Sequence, residues 1–284
     1  MLLVADGGSS KTDWILQPQN NQNPQKFATG GLNPFFWTEK EMIRSLNAFK
    51  PFNAVADQVS EIHFFGAGCS SPDRRELVSN ALSHRFKNAF VAVETDSLGS
   101  AIACCKDKPG IVCTLGTESN VSFYNGEENF PSKLGLGYIL GEEASGTYFG
   151  KILVTDFIYE RAPKEILKAF DREYRLNKET VIRNLYQKPM PNYFLASFAE
   201  FLSICYDHPY IQNLLYRGFD EFVKTHILLY PDYKNYNCHF VGSIAFHFQE
   251  ILKSVTDSYE INFGGVLEKP IDELFAWIKE KEGF

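Results

Sequence analysis

The residues best suited to chemistry sit in polar turns at the ends of apolar runs. The first turn, Asp6-Gly7-Gly8-Ser9-Ser10-Lys11-Thr12, lies between the apolar stretches Met1–Ala5 and Trp14–Leu16, so the local reading is strand, tight turn, strand. Its two glycines permit positive φ, and its backbone N–H groups, hydroxyls and single cation suit a polyphosphate. Asp6 ends the strand and is placed to hold a hydrated Mg²⁺. An ordinary hairpin with a polar tip would have the same composition. A second turn, Gly116-Thr117-Glu118-Ser119-Asn120, again follows an apolar strand and precedes another. Asp96, in Thr95-Asp96-Ser97, ends a strand and opens a helix; it suits either a general base or a helix N-cap. Asn33 carries an amide that both donates and accepts, and it is equally a pre-proline turn residue. Gly242-Ser243 closes a late strand and opens a helix.

The elements that must position these residues alternate regularly. A third strand over 26–31 ends at Gly30-Gly31, and Asn33-Pro34 bends the loop after it. The spacing of Met42, Ile43, Leu46 and Phe49 predicts a helix over 39–49. Strand 60–65, helix 72–85, strand 89–94 and a helix from Thr95 to Cys105 follow, which together describe a mixed sheet with helices packed on it. A Pro/Gly linker at Lys106–Gly110 interrupts the pattern, which restarts with strands 111–115 and 121–124 joined through the second turn and a hairpin tip at Asn125-Gly126. Beyond Gly150 amphipathic helices are expected over 152–161, 163–185, 192–204 and 209–229, then a strand over 238–241, a helix from Gly242 through Val255, a strand over 259–263 and a final helix over 270–281. Gln17–Gln25 reads as a polar hairpin tip.

Composition excludes several classes of function. The 284 residues carry a net charge of −7, the wrong sign for a phosphate-backbone footprint, so no nucleic-acid partner is expected. No membrane-length apolar run and no signal-type leader is seen, which points to a cytoplasmic protein without a membrane partner. The six cysteines form neither C-x-x-C pairs nor metal-like spacings with the six histidines, so buried, reduced thiols are expected. Neither a Walker loop nor a dinucleotide fingerprint is present, because the first turn lacks a Gly before Lys11 and Gly66-x-Gly68 lacks a third glycine in register.

The ordered series of turns, from Asp6–Thr12 through Asn33, Asp96, Gly116–Asn120 and Gly135–Gly146 to Gly242-Ser243, resembles the actin-like, sugar kinase and Hsp70 ATPase superfamily. Within it the chain is similar to the N-acetylglucosamine kinases and the related BadF/BadG/BcrA/BcrD ATPases, over nearly its whole length. The resemblance implies an α/β, two-lobed actin-like ATPase fold of duplicated ribonuclease H-like domains with an interdomain cleft. Residues 1–106 plus 269–284 would form the N-terminal lobe and 107–268 the C-terminal lobe. It further implies ATP and Mg²⁺ as cofactors, with Asp6, Gly7, Gly8, Ser9, Ser10, Lys11 and Thr12 as the first phosphate loop and Gly116, Thr117, Ser119 and Asn120 in the second. Gly242 and Ser243 match the adenosine motif; Asn33, Asp96, Gly135, Leu136 and Glu142 match sugar contacts, with Asp96 the base and Asp6 holding Mg²⁺ through water. The implied activity is ATP-dependent phosphorylation of an amino sugar, N-acetylglucosamine first among them. Association into a homodimer stays open.

Three positions depart from the family pattern. Glu118 stands where the second phosphate loop has Gly, and Glu142 and Ala144 stand where the sugar loop has Asp and Gly. Glu118 is the most serious departure, since a Cβ at a positive-φ position is strained and its charge faces a triphosphate. Ala144 is mild if its φ is negative. These changes motivate a rival reading, a catalytically weak or inactive sugar- or nucleotide-binding sensor. A BadF-type ATPase that activates a dehydratase through an Fe–S cluster is disfavoured by the scattered cysteines.

Overall fold

The structure, a computed structural model, describes residues 1–9, 11–19 and 22–284. Ser10 of the first turn, and Asn20 and Asn21 of the expected hairpin tip, lie outside the described residues. The chain divides into two compact units, Met1–Lys108 with Asn125–Asn129 and Lys269–Phe284, and Pro109–Tyr124 with Phe130–Glu268.

In the first unit, β1 (Leu2–Gly7), β2 (Lys11–Gln17), β3 (Gln25–Gly30), β4 (Glu61–Gly66) and β5 (Phe90–Thr95) form one sheet in the order β3-β2-β1-β4-β5. Short turns make β1, β2 and β3 antiparallel, whereas β4 and β5 run parallel to β1 because helices connect them. Those helices are α1 (Glu39–Ala48) and α2 (Pro72–Arg85), and α3 (Asp96–Cys105) follows β5. α1 starts at a capping box in which Thr38 and Glu41 satisfy each other's backbone N–H groups; α2 starts on Pro72, whose missing N–H costs nothing there. β1 is central, and its first four residues, Leu2 to Ala5, are completely buried. Trp14, Phe52, Phe64 and Phe86 fill the core beside it in edge-to-face and tilted contacts. The parallel register sets Gly7 beside Gly66 and Gly66 beside Thr95, so the carboxyl ends of β1, β4 and β5 share one edge. Ligands of open α/β sheets bind at such edges.

The second unit repeats this plan. β6 (Gly110–Leu115), β7 (Ser119–Tyr124), β8 (Asn129–Pro131), β9 (Asn237–Val241) and β10 (Phe263–Leu267) are ordered β10-β9-β6-β7-β8, with β6 antiparallel to β7 and parallel to β9. Substituting each strand by its rank within its own half gives the same order, which is the duplication of an actin-like ATPase fold. The helical insertion between β8 and β9 distinguishes this half. It comprises α4 (Gly137–Leu140), α5 (Gly146–Ile158), α6 (Lys164–Tyr174), α7 (Lys178–Tyr186), α8 (Pro191–Ala196), α9 (Glu200–Ile204) and α10 (Pro209–Thr225). Phe149, Phe170, Phe201, Phe219 and Phe222 give it a continuous aromatic core with the sheet.

Several expected helices are subdivided. The stretch 163–185 breaks into α6 and α7 at Arg175, which adopts a left-handed conformation, after which Asn177 caps α7 through the Thr180 N–H at 2.9 Å. The stretch 192–204 becomes α8, a 3₁₀ turn and α9, and 209–229 becomes α10 followed by a 3₁₀ turn at Ile227–Leu229. The helix after Gly242 is two helices, α11 (Ser243–His247) and α12 (Gln249–Ser258), separated at Phe248. α5 begins well before Ile152 because Ser145 caps it, accepting from the Tyr148 N–H at 3.0 Å. The strand expected over 259–263 is a correction: Tyr259 ends α12, and β10 runs from Phe263 through both glycines to Leu267. Pairing with β9, including a bulge between Phe263 and Gly265, and stacking of Phe263 on Phe240 decide its position. Alternation of Tyr259, Ile261 and Phe263 is local and reports none of this.

Gly150 allows α5 and α8 to touch backbone to backbone: a Cβ there would stand 1.8 Å from the Leu195 carbonyl oxygen. Gly150→Ala must therefore separate two helices, and a stability loss of about 3 kcal/mol is expected by chemical denaturation. No helix among the described residues is long and apolar enough to cross a membrane.

Candidate functional site

In the first unit the turn after β1 is closed by the Gly8 N–H donating to the Lys11 carbonyl at 2.8 Å. Asp6 lies at the end of β1, half-buried, and burial together with the nearby charges of Asp96 and Asp13 pushes its carboxyl up to about 7, against the opposing pull of Lys269. Asp13 itself is held below the usual carboxylate range by Lys11 and Lys269, which pair with its two oxygens at 2.6 and 2.9 Å. Lys11 is thus engaged by Asp13. Thr12 faces inward, with its hydroxyl buried and unpartnered. Asn33 is buried behind the same turn, donating to the Ser9 hydroxyl at 2.7 Å and accepting from the Phe35 N–H at 2.9 Å, so one amide ties the loop after β3 to the first turn.

Asp96 is the first residue of α3 and is exposed. The cap belongs to its neighbour: the Thr95 hydroxyl accepts from the Leu98 N–H at 3.2 Å. Asp96 accepts from the Ser97 N–H at 2.9 Å through one oxygen. Asp6, next to last in β1, and Asp96, the residue after β5, stand at one end of the sheet because the parallel register aligns Gly7, Gly66 and Thr95. Cys69 is buried, and burial, with Asp96 adding to it, pushes its thiol up to about 12, which makes it inert at neutral pH.

In the second unit the Gly116 turn is anchored to the start of α5. The Gly146 N–H donates to the Gly116 carbonyl at 2.7 Å, and the Thr147 N–H and hydroxyl both donate to the Thr117 carbonyl, at 3.1 and 2.7 Å. Glu118 departs from expectation: it has no positive φ, its side chain is exposed, and it accepts from the Asn192 amide at 2.9 Å. The strain anticipated there falls instead on Glu142 and Ala144, whose φ values are 60° and 58°. Left-handed non-glycine residues cost about 1–3 kcal/mol each and concentrate at functional sites.

A cavity of about 400 Å³ brings Gly116 and Thr117 together with Gly146 and Ser243. Gly242 precedes Ser243 with φ 117°, at the junction of β9 and α11. Ser119 and Asn120 instead enter β7, opposite Leu115 and Thr114, and do not line this cavity. Beside apolar Ala196, Ala199, Ile244 and Phe248, the side chains of Ser197, Glu200, Ser203 and His247 add further polar groups to the wall. Sequence reasoning missed these four; the i, i+3, i+6 run of Ser197, Glu200 and Ser203 is a polar stripe that marks a solvent-facing wall but no ligand. Of the expected sugar-loop positions, Gly135 and Leu136 are exposed ahead of α4, and Glu142 is half-buried after it. Glu143 pairs with the buried His226 at 2.8 Å, which fastens the loop to the end of α10.

Burial, reinforced by Glu118, pushes Glu142 up to about 7, and its Oε2 is buried without a partner. The folded chain therefore holds the extra proton between about pH 4.5 and 7, so this group's stabilisation is complete below that window and lost as pH rises through it. Glu142→Gln is expected to stabilise the chain by roughly 1 kcal/mol at pH 8 and to flatten the decline between pH 5 and 7, measured by denaturation at each pH.

Two mixed sheets of identical strand rank order, each with a polar turn after its first strand and a nucleotide-sized cavity at the second, define the actin-like ATPase class that includes the sugar kinases. No protein-family model matches the chain, and no curated protein does. A solved structure from Porphyromonas gingivalis, described as a candidate N-acetylglucosamine kinase, is 33% identical, covers 99% of this chain and 100% of its own, and superposes with a TM-score of 0.92. The chain belongs to the N-acetylglucosamine kinase family. A second candidate N-acetylglucosamine kinase, from Chromobacterium violaceum, is 15% identical over 98% of each chain with a TM-score of 0.70. A ROK family glucokinase from Streptomyces griseus, in complex with glucose and AMPPNP, is 13% identical over 96% of this chain and 97% of that one, with a TM-score of 0.58. At these identities the last two show the fold alone.

Proposed function

We propose that the protein transfers the γ-phosphoryl group of ATP to a hydroxyl of an amino sugar, N-acetylglucosamine or a close relative. The observation that carries this reading is the cavity wall on which the Gly116-Thr117 turn, Gly146 at the end of the sugar loop, and Ser243 converge. Adenosine would occupy that cavity, with Gly242-Ser243 and the Ser197–Ser203 stripe around it. The N–H groups of the Gly116 turn and of Gly7-Gly8-Ser9 would hold the phosphates, and the family resemblance adds Ser10, Lys11, Thr12, Ser119 and Asn120 to the candidate phosphate contacts.

Asn33, Gly135, Leu136 and Glu142 would contact the sugar. Asp96 would accept the proton of the attacking hydroxyl as its oxygen bonds to the γ-phosphorus and the bond to the bridging oxygen breaks, releasing ADP. The donor set suits Mg²⁺: Asp6 offers a hard oxygen, and the mutual repulsion of Asp6, Asp96 and Asp13 is what a divalent cation relieves. When bound, Mg²⁺ neutralises phosphate charge, and Asp6 would hold it through water. The test is a coupled ADP-release assay across a panel of sugars. Turnover with N-acetylglucosamine or another amino sugar is expected, and absence of turnover on every sugar at saturating Mg-ATP overturns the proposal.

A further inference from the structure

A second cavity, of about 360 Å³, lies between α5 and α10 and shares no residue with the nucleotide cavity. Its walls follow helical spacing. α5 presents Tyr148, Lys151, Ile152 and Thr155, at i, i+3, i+4 and i+7. α10 presents Tyr210, Asn213, Leu214 and Arg217 at the same intervals, and Arg161, just after α5, also lines the groove. Three cations therefore face one groove in a chain of net charge −7.

Among the described residues none of the three forms an ion pair, although the charge of Lys151 acts on Glu142. Lys151 donates to the Ile139 carbonyl at 3.4 Å, Arg161 stacks over the Tyr159 ring at 4.6 Å, and the charge of Arg217 is felt by Tyr148, as is that of Glu221. Among the described residues Asp156 is the one carboxylate lining the groove, and it accepts from the Tyr210 hydroxyl at 2.7 Å. The volume falls in the range of small-molecule sites, about 300–1,000 Å³, and two guanidiniums beside an ammonium match a dianionic phosphate by forked, charge-assisted hydrogen bonds. Asp156, Asn213 and Thr155 supply acceptors and donors for hydroxyls beside it, while Ile152 and Leu214 form an apolar floor.

The geometry points to a binding site for a phosphorylated sugar in this groove, with the phosphate on Lys151, Arg161 and Arg217 and the sugar hydroxyls on Asp156 and Asn213. Lys151 also serves the 134–146 segment through Ile139, so an occupant competes for a cation which that segment uses. The site stands apart from the kinase reading, because its occupancy is measured without nucleotide or turnover.

The test is isothermal titration of the full chain, free of nucleotide, with glucose 6-phosphate, inorganic phosphate and glucose as separate probes. Glucose 6-phosphate is expected to bind, inorganic phosphate to bind more weakly, and glucose not to displace the phosphorylated probe. The double variant Arg161→Gln/Arg217→Gln should lose affinity by about tenfold or more, since charge-assisted contacts are removed, and Lys151→Gln alone should weaken it in the same direction. Thr117→Val, in the nucleotide cavity, should leave the affinity unchanged, which separates the groove from the phosphate turns. Both arginines are exposed, and an unchanged thermal midpoint verifies folding of the double variant. Equal affinity in wild type and double variant, or loss of binding in Thr117→Val alone, overturns the site. Equal affinity for inorganic phosphate and glucose 6-phosphate overturns its assignment to a sugar phosphate.

Discussion

Asp96→Asn is expected to lower kcat by about 10²–10⁴-fold, the usual contribution of a general base, while KM for sugar and for ATP changes little. The substitution is close to isosteric. The amide oxygen still accepts from the Ser97 N–H, and the helix cap is untouched because the Thr95 hydroxyl supplies it. Asp96 is exposed at the first position of α3, so the thermal stability should stay within about 0.5 kcal/mol of wild type. A second readout ties the effect to this geometry. Asp96 is one of the charges that push Asp6 up, so its neutralisation should move the Asp6 titration downward, observable by NMR at the carboxyl carbon. A kcat equal to wild type would remove Asp96 from the role of base, whatever the sugar.

Gly242→Ala carries the largest stability effect expected at the cavity beside the Gly116 turn. Gly242 has φ 117° and ψ 164°, a region essentially reserved for glycine, and an added Cβ would stand 2.5 Å from the Leu115 carbonyl oxygen and 3.1 Å from the Gly116 nitrogen. Strain of about 1–3 kcal/mol and overpacking of similar size sum to a loss of about 4 kcal/mol, read by denaturant titration. Gly265→Ala separates the two contributions: it has φ 123° but nothing within 4 Å of its Cβ, so it should lose only the strain. Because the clash falls on the backbone of the Gly116 turn, Gly242→Ala should weaken ADP binding as well. A stability loss of about 1 kcal/mol or less, with ADP affinity intact, would contradict the contact between the β9–α11 junction and that turn.

The sequence by itself determined the elements whose signals are local. Short apolar runs mark β1, β4, β5 and β6 to within two residues; β2 is marked only by its apolar Trp14–Leu16, since Lys11 and Thr12, read as part of the first turn, begin that strand. The spacing of Met42, Ile43, Leu46 and Phe49 marks α1, and the stretch from Pro72 to Arg85 marks α2, because an apolar stripe and a first-turn proline are signals contained in the element itself. The restart of strand, polar turn and strand at Ile111 announced the repeated sheet order, and the series of turns carried the resemblance to the sugar kinases.

Tertiary structure alone decided what depends on distant partners. Glu118 escaped positive φ while Glu142 and Ala144 acquired it, since the Gly116 turn is anchored on Gly146 and Thr147 some thirty residues away and the loop carrying Glu142 and Glu143 on His226 more than eighty away. The polar wall of Ser197, Glu200 and Ser203 lines the cavity at the Gly116 turn only because the helical insertion packs with β6 and α11. The cationic groove likewise exists only where α5 meets α10, across a sequence gap that no periodicity spans. Periodicity fixes which face of an element is apolar; which face meets which is settled by packing, whose energy is shared among many non-local contacts and leaves no signature in any single stretch.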